Sequence, residues 1–448
     1  MAEPADADRV KLAAEAYIYG YPLVYNLDEL VKFPQGSSTI LPGQVVPYNQ
    51  FGLARDLLTP DAKFVTPNND TLYMVVAADV GNGPLIVSVP DTSDRYYGLQ
   101  FIDAWTNNFA YVGRRPTGTK AGKFLLTPSG YDGPLPDGMQ VIEAPSRVFV
   151  ILGRLQVDGE ADLPAAHALQ DQFSLTPLDP SGDAVAGIPA PNVGVADDLM
   201  FWEKFRLAMA AFPPPSADNE FVELSAEFGL TDADSPFVNP DSDLHDVLIE
   251  GEKQAKTLLE ELSTRLIKMV DGWATAMHAF DYNLDRCGPG TINAPEWKIA
   301  DRKIAYVTRA VAARMGLWGN HGYEADYEIL WQDGDGEFLD GSHTYELILS
   351  PPPPVGAFWS LTMYDKSDYY LVANPIDRYS IGDRTPGLQY GEDGSVIIYM
   401  QHESPGPGKQ SNWLPTPPGA FRPVLRAYQP GAAILDGTYH FSGVTRTA

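Results

Sequence analysis

The spacing of apolar residues changes character three times along this chain. Over Asp8–Phe33, Val10, Leu12, Ala13, Ala16, Tyr17, Tyr19, Tyr21 and Val24 include the i, i+3 and i+4 intervals of a helix. Asp6 or Asp8 is placed to cap it, and Pro22, which has no N–H, is expected to kink or end its first part. A Gly/Pro/Ser-rich loop at 34–49 follows. Residues 64–155 then break into short runs: VTPNNDTLYMVVAADV, LIVSVP, YYGLQFIDAW, FAYVGRR, KFLLTP, MQVIEAP and RVFVILGRLQV. Short apolar runs punctuated by Gly, Pro, Asn and Asp predict a β-sandwich or barrel-like layer. DLPAAHALQDQF at 162–173 reads as a short helix with Asp162 capping and Pro164 in its first turn, and 174–196 reads as a connector. Helical spacing returns at 198–212, 217–228, 243–280 and 300–317. In the longest of these, Leu258, Leu262, Leu266, Met269, Trp273 and Met277 form one stripe, and Gly251 is expected to interrupt the helix. Strand-like runs resume at Tyr327 and continue to the C-terminus.

The two strand-rich regions resemble each other. Moved by 262 positions without a gap, Leu85–Asp103 falls on Leu347–Asp365. Leu85/Leu347, Ile86/Ile348, Ser88/Ser350, Pro90/Pro352, Leu99/Leu361 and Asp103/Asp365 coincide, and Tyr96 and Tyr97 meet Phe358 and Trp359. Each copy has an apolar strand, a Pro-bearing turn and a second strand ending on a carboxylate, which reads as a hairpin used twice.

Composition narrows the class. A 448-residue chain with 44% hydrophobic residues can fill two or three cores, and 40 Gly with 39 Pro fit many tight turns. With 59 Asp+Glu against 31 Lys+Arg, the net charge of −28 repels phosphate backbones and anionic lipid, which argues against nucleic-acid and membrane partners. Cys287 stands alone, so there is no intrachain disulfide and no thiolate cluster. The opening MAEPADADRV carries neither a basic nor an apolar leader segment. The expectation is a cytoplasmic protein if this N-terminus is complete, and an exported one if a signal peptide has been removed.

Longer motifs carry a family resemblance. EAYIYGYPLV (15–24), VTPNNDTLY (65–73) and RYYGLQFIDAWTNNFAYVG (95–113) resemble domain of unknown function 1254. AFWSLTMYD (357–365), NPIDRYSIGDRTPGL (374–388), NWLPTPPG (412–419) and LDGTYH are similar to its C-terminal companion, domain of unknown function 1214. The resemblance implies an α+β, β-dominated fold: two β-sandwich units of jelly-roll character bridged by helices, in a homo-oligomer. The divisions expected are a helical segment at 1–42, a β-sandwich domain at 43–175, a helical bridging region at 176–325 and a second β-sandwich domain at 326–448.

Candidate chemistry lies in polar loops beside apolar strands. Asn68, Asn69 and Asp70 share one loop, with Asp70 a candidate general base and Tyr73 a candidate acid; an Asx-turn bonding its own backbone is the competing account. His402 closes a strand near Asn412 and Trp413 and completes the candidate catalytic set of Asp70, Tyr73 and His402. Asn68, Asn69, Tyr97, Asn107, Arg378, Asn412 and Trp413 are the candidate substrate contacts, although Arg378 fits equally an Arg–Asp network pinning the loop 374–384. No nucleotide-binding or hydrolase signature occurs, and the histidines show no HxH or HxxxH spacing. The reading is an enzyme of hydrolase or lyase type acting on a small organic molecule in an aromatic-lined cleft, with no cofactor or metal predicted. A non-enzymatic oligomeric assembly protein and a haem- or metal-dependent oxygenase are the alternatives, and His or Cys287 could supply a haem ligand.

Overall fold

A computed structural model describes residues 6–180, 184–265, 269–275 and 277–447. The chain is α+β with sheets dominating. In the N-terminal sandwich, an antiparallel five-stranded sheet runs in the order 52–53, 71–79, 148–156, 97–103, 108–113. A four-stranded sheet, ordered 140–144, 122–128, 85–89, 174–177, covers one of its faces. The C-terminal sandwich pairs a six-stranded sheet (269–270, 273–275, 325–330, 421–430, 355–365, 380–382) with a four-stranded one (413–415, 396–401, 345–349, 444–446). Each sandwich has its own core, around Leu99 and Phe149 in the first and Leu361 and Leu425 in the second. Strands 71–79, 97–103 and 421–430 are buried on both faces, because helices or the other sandwich cover the second side. That is why they read as continuous apolar runs and not as alternating ones.

The duplication is topological. Strands 85–89 and 345–349 each pair antiparallel with a partner, 122–128 and 396–401, which in turn pairs parallel with 140–144 and 413–415. The following strands, 97–103 and 355–365, each lie between a long neighbour, 148–156 or 421–430, and a shorter one, 108–113 or 380–382. The repeated unit is therefore not a hairpin: its two strands belong to opposite layers of one sandwich. Pro90 in the first copy and Pro351–Pro354 in the second follow the first strand. A run that cannot donate N–H groups breaks the ladder, and the chain crosses to the other sheet.

Helices fill the side that the two large sheets leave open. The first, Ala7–Gln35, passes through Pro22 without ending, and Gly36 closes it in the left-handed region at φ 69°. It packs on Ser242–Arg265 where Gly251 meets it: a Cβ on Gly251 would lie 2.5 Å from Ala13 Cβ, so this glycine permits the contact and does not interrupt the helix. The helix expected over 243–280 is described as far as Arg265. Met269 and Trp273 instead lie on strands 269–270 and 273–275, joined by Asp271 and Gly272, both at positive φ; this is an Asp-Gly hairpin turn embedded in helix-like spacing. The buried face of Ser242–Arg265 is Val247, Leu248, Ala255 and Leu259, while Leu258 is exposed and Leu266 lies outside the described residues. Asp301 caps Arg302–Gly316 by accepting the Ile304 N–H.

Candidate functional site

A cavity of about 410 Å³ lies where the inner faces of the five- and six-stranded sheets and the helical layer converge. Tyr73 and Arg154 enter from the N-terminal sandwich, and Tyr327, Arg422, Arg426 and Tyr428 from the C-terminal one. Phe64, Phe280, Met315, Leu317 and Trp318 supply apolar wall. Phe64 and Trp318 pack with ring centroids 5.5 Å apart, and Trp318 Nε1 donates to Asn26 Oδ1 of the first helix at 2.7 Å.

The three arginines stand on strands and are almost fully enclosed, at 6% (Arg154), 0% (Arg422) and 2% (Arg426) exposure. Arg154 donates through Nη1 to Gln100 Oε1 (2.6 Å) and Asn320 Oδ1 (3.2 Å), and through Nη2 to the Trp318 carbonyl (2.9 Å). Arg426 donates to Thr362 Oγ1 (3.1 Å) and the Thr66 carbonyl (2.9 Å). Arg422 Nη2 donates to Thr66 Oγ1 and, at 3.4 Å, to the Met315 carbonyl. Among the described residues, Arg422 Nε and Nη1 have no partner, and burial lowers its pKa to about 10. None of these acceptors is a carboxylate. A buried charge whose hydrogen-bond partners are all neutral is expensive, and Arg422 carries most of that cost, since Asp70 draws on Arg426.

Two acids stand near these cations, and each is engaged elsewhere. Asp70 Oδ2 accepts from Ser360 Oγ at 2.7 Å, and Glu324 Oε1 accepts from Tyr96 Oη at 2.9 Å. Burial raises the Glu324 pKa from 4.5 to about 7, against the opposing pull of its Tyr96 bond and of Arg115 and Arg154.

Groups able to move a proton also face the cavity. His278 lines it, with Nδ1 2.7 Å from Asp281 Oδ2, a bond that raises the imidazole pKa. With Nδ1–H held by Asp281, Nε2 is the nitrogen left to exchange a proton. Tyr73 Oη accepts the Asn68 N–H at 3.2 Å and keeps its own proton to donate. Asn68 Oδ1 accepts from the Asp70 and Thr71 N–H groups, forming the Asx-turn, while its buried Nδ2 has no partner among the described residues and borders the cavity.

Of the residues singled out from the sequence, Asn68 and Tyr73 line this cavity, and Asp70 sits beside it on Ser360. Asn69 donates to the Leu58 carbonyl and accepts from Ser380. Tyr97 points into the N-terminal sandwich core, with its hydroxyl on the Gly118 carbonyl. Asn107 is buried between Asp103 and Arg309. The remaining candidates gather around the outer C-terminal sheet. There Arg378 binds the carbonyls of Gln410, Ser411 and Trp413, Asn412 holds Gln389 and Ile397, and Trp413 Nε1 donates to the Gln401 carbonyl. His402, with its Nδ1 on the Thr416 carbonyl and its side chain 44% exposed, belongs to that group, and the structure does not bring it to Asp70 and Tyr73. Sequence reasoning passed over Arg154, Arg422, Arg426, Tyr327, His278 and Asp281. A charged residue inside an otherwise apolar strand, as in ILGRLQ and PVLRAY, is the signal that marks two of the arginines. Among the described residues, no group of three or more His, Cys, Asp or Glu is arranged to hold a metal ion.

Two family models match the chain: Protein of unknown function (DUF1254) over residues 48–177 and Protein of unknown function (DUF1214) over 324–432. Among solved structures, the VPA0106 protein from Vibrio parahaemolyticus is 25% identical, with a TM-score of 0.69, covering 98% of this chain and 100% of its own. A putative uncharacterized protein from Burkholderia cenocepacia is 11% identical with a TM-score of 0.45, covering 98% of this chain and 94% of its own. No curated protein matches the sequence.

Proposed function

The chain belongs to the family that joins an N-terminal DUF1254 domain to a C-terminal DUF1214 domain, and we propose that it takes up a small organic acid in the cavity between its two sandwiches and transfers a proton on it. The observation that carries this reading is the set of buried guanidinium groups, Arg422 above all, whose hydrogen-bond partners among the described residues include no carboxylate. A ligand carboxylate on Arg422 Nε and Nη1 would supply the missing counter-charge in the two-pronged geometry that suits arginine. Phe64, Phe280, Met315 and Trp318 would take its apolar body.

Proton transfer falls to the groups bordering the same space. His278, oriented by Asp281, is the candidate base, and Tyr73 is the candidate acid; Asn68 Nδ2 is placed to hold a substrate oxygen. Asp70 becomes a positioning residue, because its carboxylate is held by Ser360 at the joint between the sandwiches. Isothermal titration with aromatic and aliphatic carboxylic acids beside their neutral amides tests the reading. Binding of acids and not of amides is expected; equal binding, or none, overturns it.

A further inference from the structure

The duplication of the sandwich also duplicates the ligand-facing chemistry, and that sets a condition on the ligand. Tyr73 stands opposite Arg154 in the N-terminal large sheet, and Tyr327 stands opposite Arg426 in the C-terminal one. The two pairs occupy the same place in the repeated topology. Strand 71–79 beside 148–156 corresponds to 325–330 beside 421–430, and each pair is flanked by a copy of the repeated second strand. Their geometry matches as well: the guanidinium carbon lies 5.8 Å from the Tyr73 ring centroid in one pair and 5.9 Å from the Tyr327 ring centroid in the other.

The anchoring of the two arginines repeats too. Arg154 holds Gln100 and Arg426 holds Thr362, residues 262 positions apart and thus mates in the sequence repeat. Each arginine also reaches a backbone carbonyl outside its own sandwich, Arg154 that of Trp318 in the helical region and Arg426 that of Thr66 in the N-terminal half. A guanidinium has five N–H donors, and these bonds leave donors over on both groups. All four side chains line the one cavity. Asp70 draws on Arg426 and Glu324 on Arg154, but neither acid lines the cavity; within it the two cations face a shared low-dielectric space, and a ligand with one anionic end offsets only one of them.

We propose that the ligand is two-headed: an organic dianion, of dicarboxylate type, with one acid group toward Arg154 and Tyr73 and the other toward Arg426 and Tyr327. Arg422, in the C-terminal sheet beside Arg426, then serves the second head. This rests on the reading of the cavity as an organic-acid site, and adds to it the number and placement of the charged groups. The two tyrosine hydroxyls are not equivalent: Tyr73 accepts one N–H, whereas Tyr327 accepts both the N–H and the Nδ2–H of Asn320. Tyr73 therefore keeps an acceptor site for the ligand that Tyr327 has filled, and the head at Arg154 is assigned as the reacting end.

The test uses the intact protein and calorimetric titration with α,ω-dicarboxylates of graded chain length, each beside the monocarboxylate of the same length. The best dicarboxylate is expected to bind at least about tenfold tighter than its matched monocarboxylate, the margin of one additional charge-assisted contact. Arg154→Gln and Arg426→Gln should each reduce that ratio toward one while monocarboxylate binding persists through the intact pair. A ratio near one in the unsubstituted protein overturns the two-headed ligand and leaves the organic-acid site standing. Binding of neither series overturns both, and since this comparison needs no variant, it does not depend on whether the substituted proteins fold.

Discussion

Glu324→Gln should make the protein more stable at pH 8 and leave it nearly unchanged at pH 5. Glu324 is 3% exposed, at the joint where Tyr96 of one sandwich meets strand 325–330 of the other. Its pKa rises from 4.5 to about 7, chiefly because burial penalises the carboxylate. A carboxyl raised in the folded state favours folding fully below the unfolded value near 4.5, and that contribution is lost as pH climbs through 7. The rise corresponds to about 3 kcal/mol, the cost the folded protein carries once both states are ionised. Glutamine keeps an oxygen for the Tyr96 hydroxyl and removes the charge, so the variant should recover a large part of that figure at pH 8. Asp326 and Glu328, a buried pair raised by burial, and Asp103, raised to about 6, act in the same direction, so the dependence is reduced and not abolished. Urea unfolding of parent and variant at pH 5, 6, 7 and 8 measures the difference. A variant less stable than the parent at pH 8, or a pH slope equal to the parent's, would refute the assignment of a buried, reluctant charge to Glu324.

Other expectations follow from the same contacts. Arg422→Met should weaken organic-acid binding at least tenfold while changing stability by no more than about 1 kcal/mol, because the lost bonds to Thr66 and Met315 are offset by removal of a buried charge; titration and unfolding read the two effects separately. His278→Gln and Asp281→Asn should each lower turnover of a bound acid by about 10²–10⁴ with binding retained, whereas His402→Ala should leave turnover unchanged. With His278 as base, activity should fall on the acid side at a pH above the ordinary imidazole value of 6.5, since Asp281 stabilises the protonated ring. Gly251→Val should destabilise by about 1–3 kcal/mol, read by urea unfolding, because its side chain would meet Ala13 Cβ and the Val10 carbonyl on the first helix.

Strands and duplication were legible because both rest on local pattern: period, turn residues and a gapless match between Leu85–Asp103 and Leu347–Asp365. What local pattern cannot say is which layer a strand joins, so two strands separated by prolines read as a hairpin when they cross between sheets. Helical spacing likewise ran on to Met269 and Trp273, which lie on strands at an interval that also suits a helix. In the site, Asn68 and Tyr73 were found because a polar loop before an apolar strand is a local signal. Arg154 and Arg426 become a pair only when strands 148–156 and 421–430, far apart in sequence, are brought to one cavity. His278 was hidden inside a supposed helix, and its partner Asp281 lies three residues on, in the turn that follows. His402 looked favourable beside Asn412 and Trp413, and the structure does place these together, but on the outer sheet, bonded to backbone.

The central claim is that the buried arginines await an acid, and a crystal structure of the protein soaked with the tightest-binding carboxylic acid tests it most directly. The expected result is a carboxylate within hydrogen-bond distance of Arg422 Nε or Nη1, with the apolar body against Phe64 and Trp318. An acid bound only on the outer surface, with Arg422 Nε and Nη1 still lacking any partner, would contradict it.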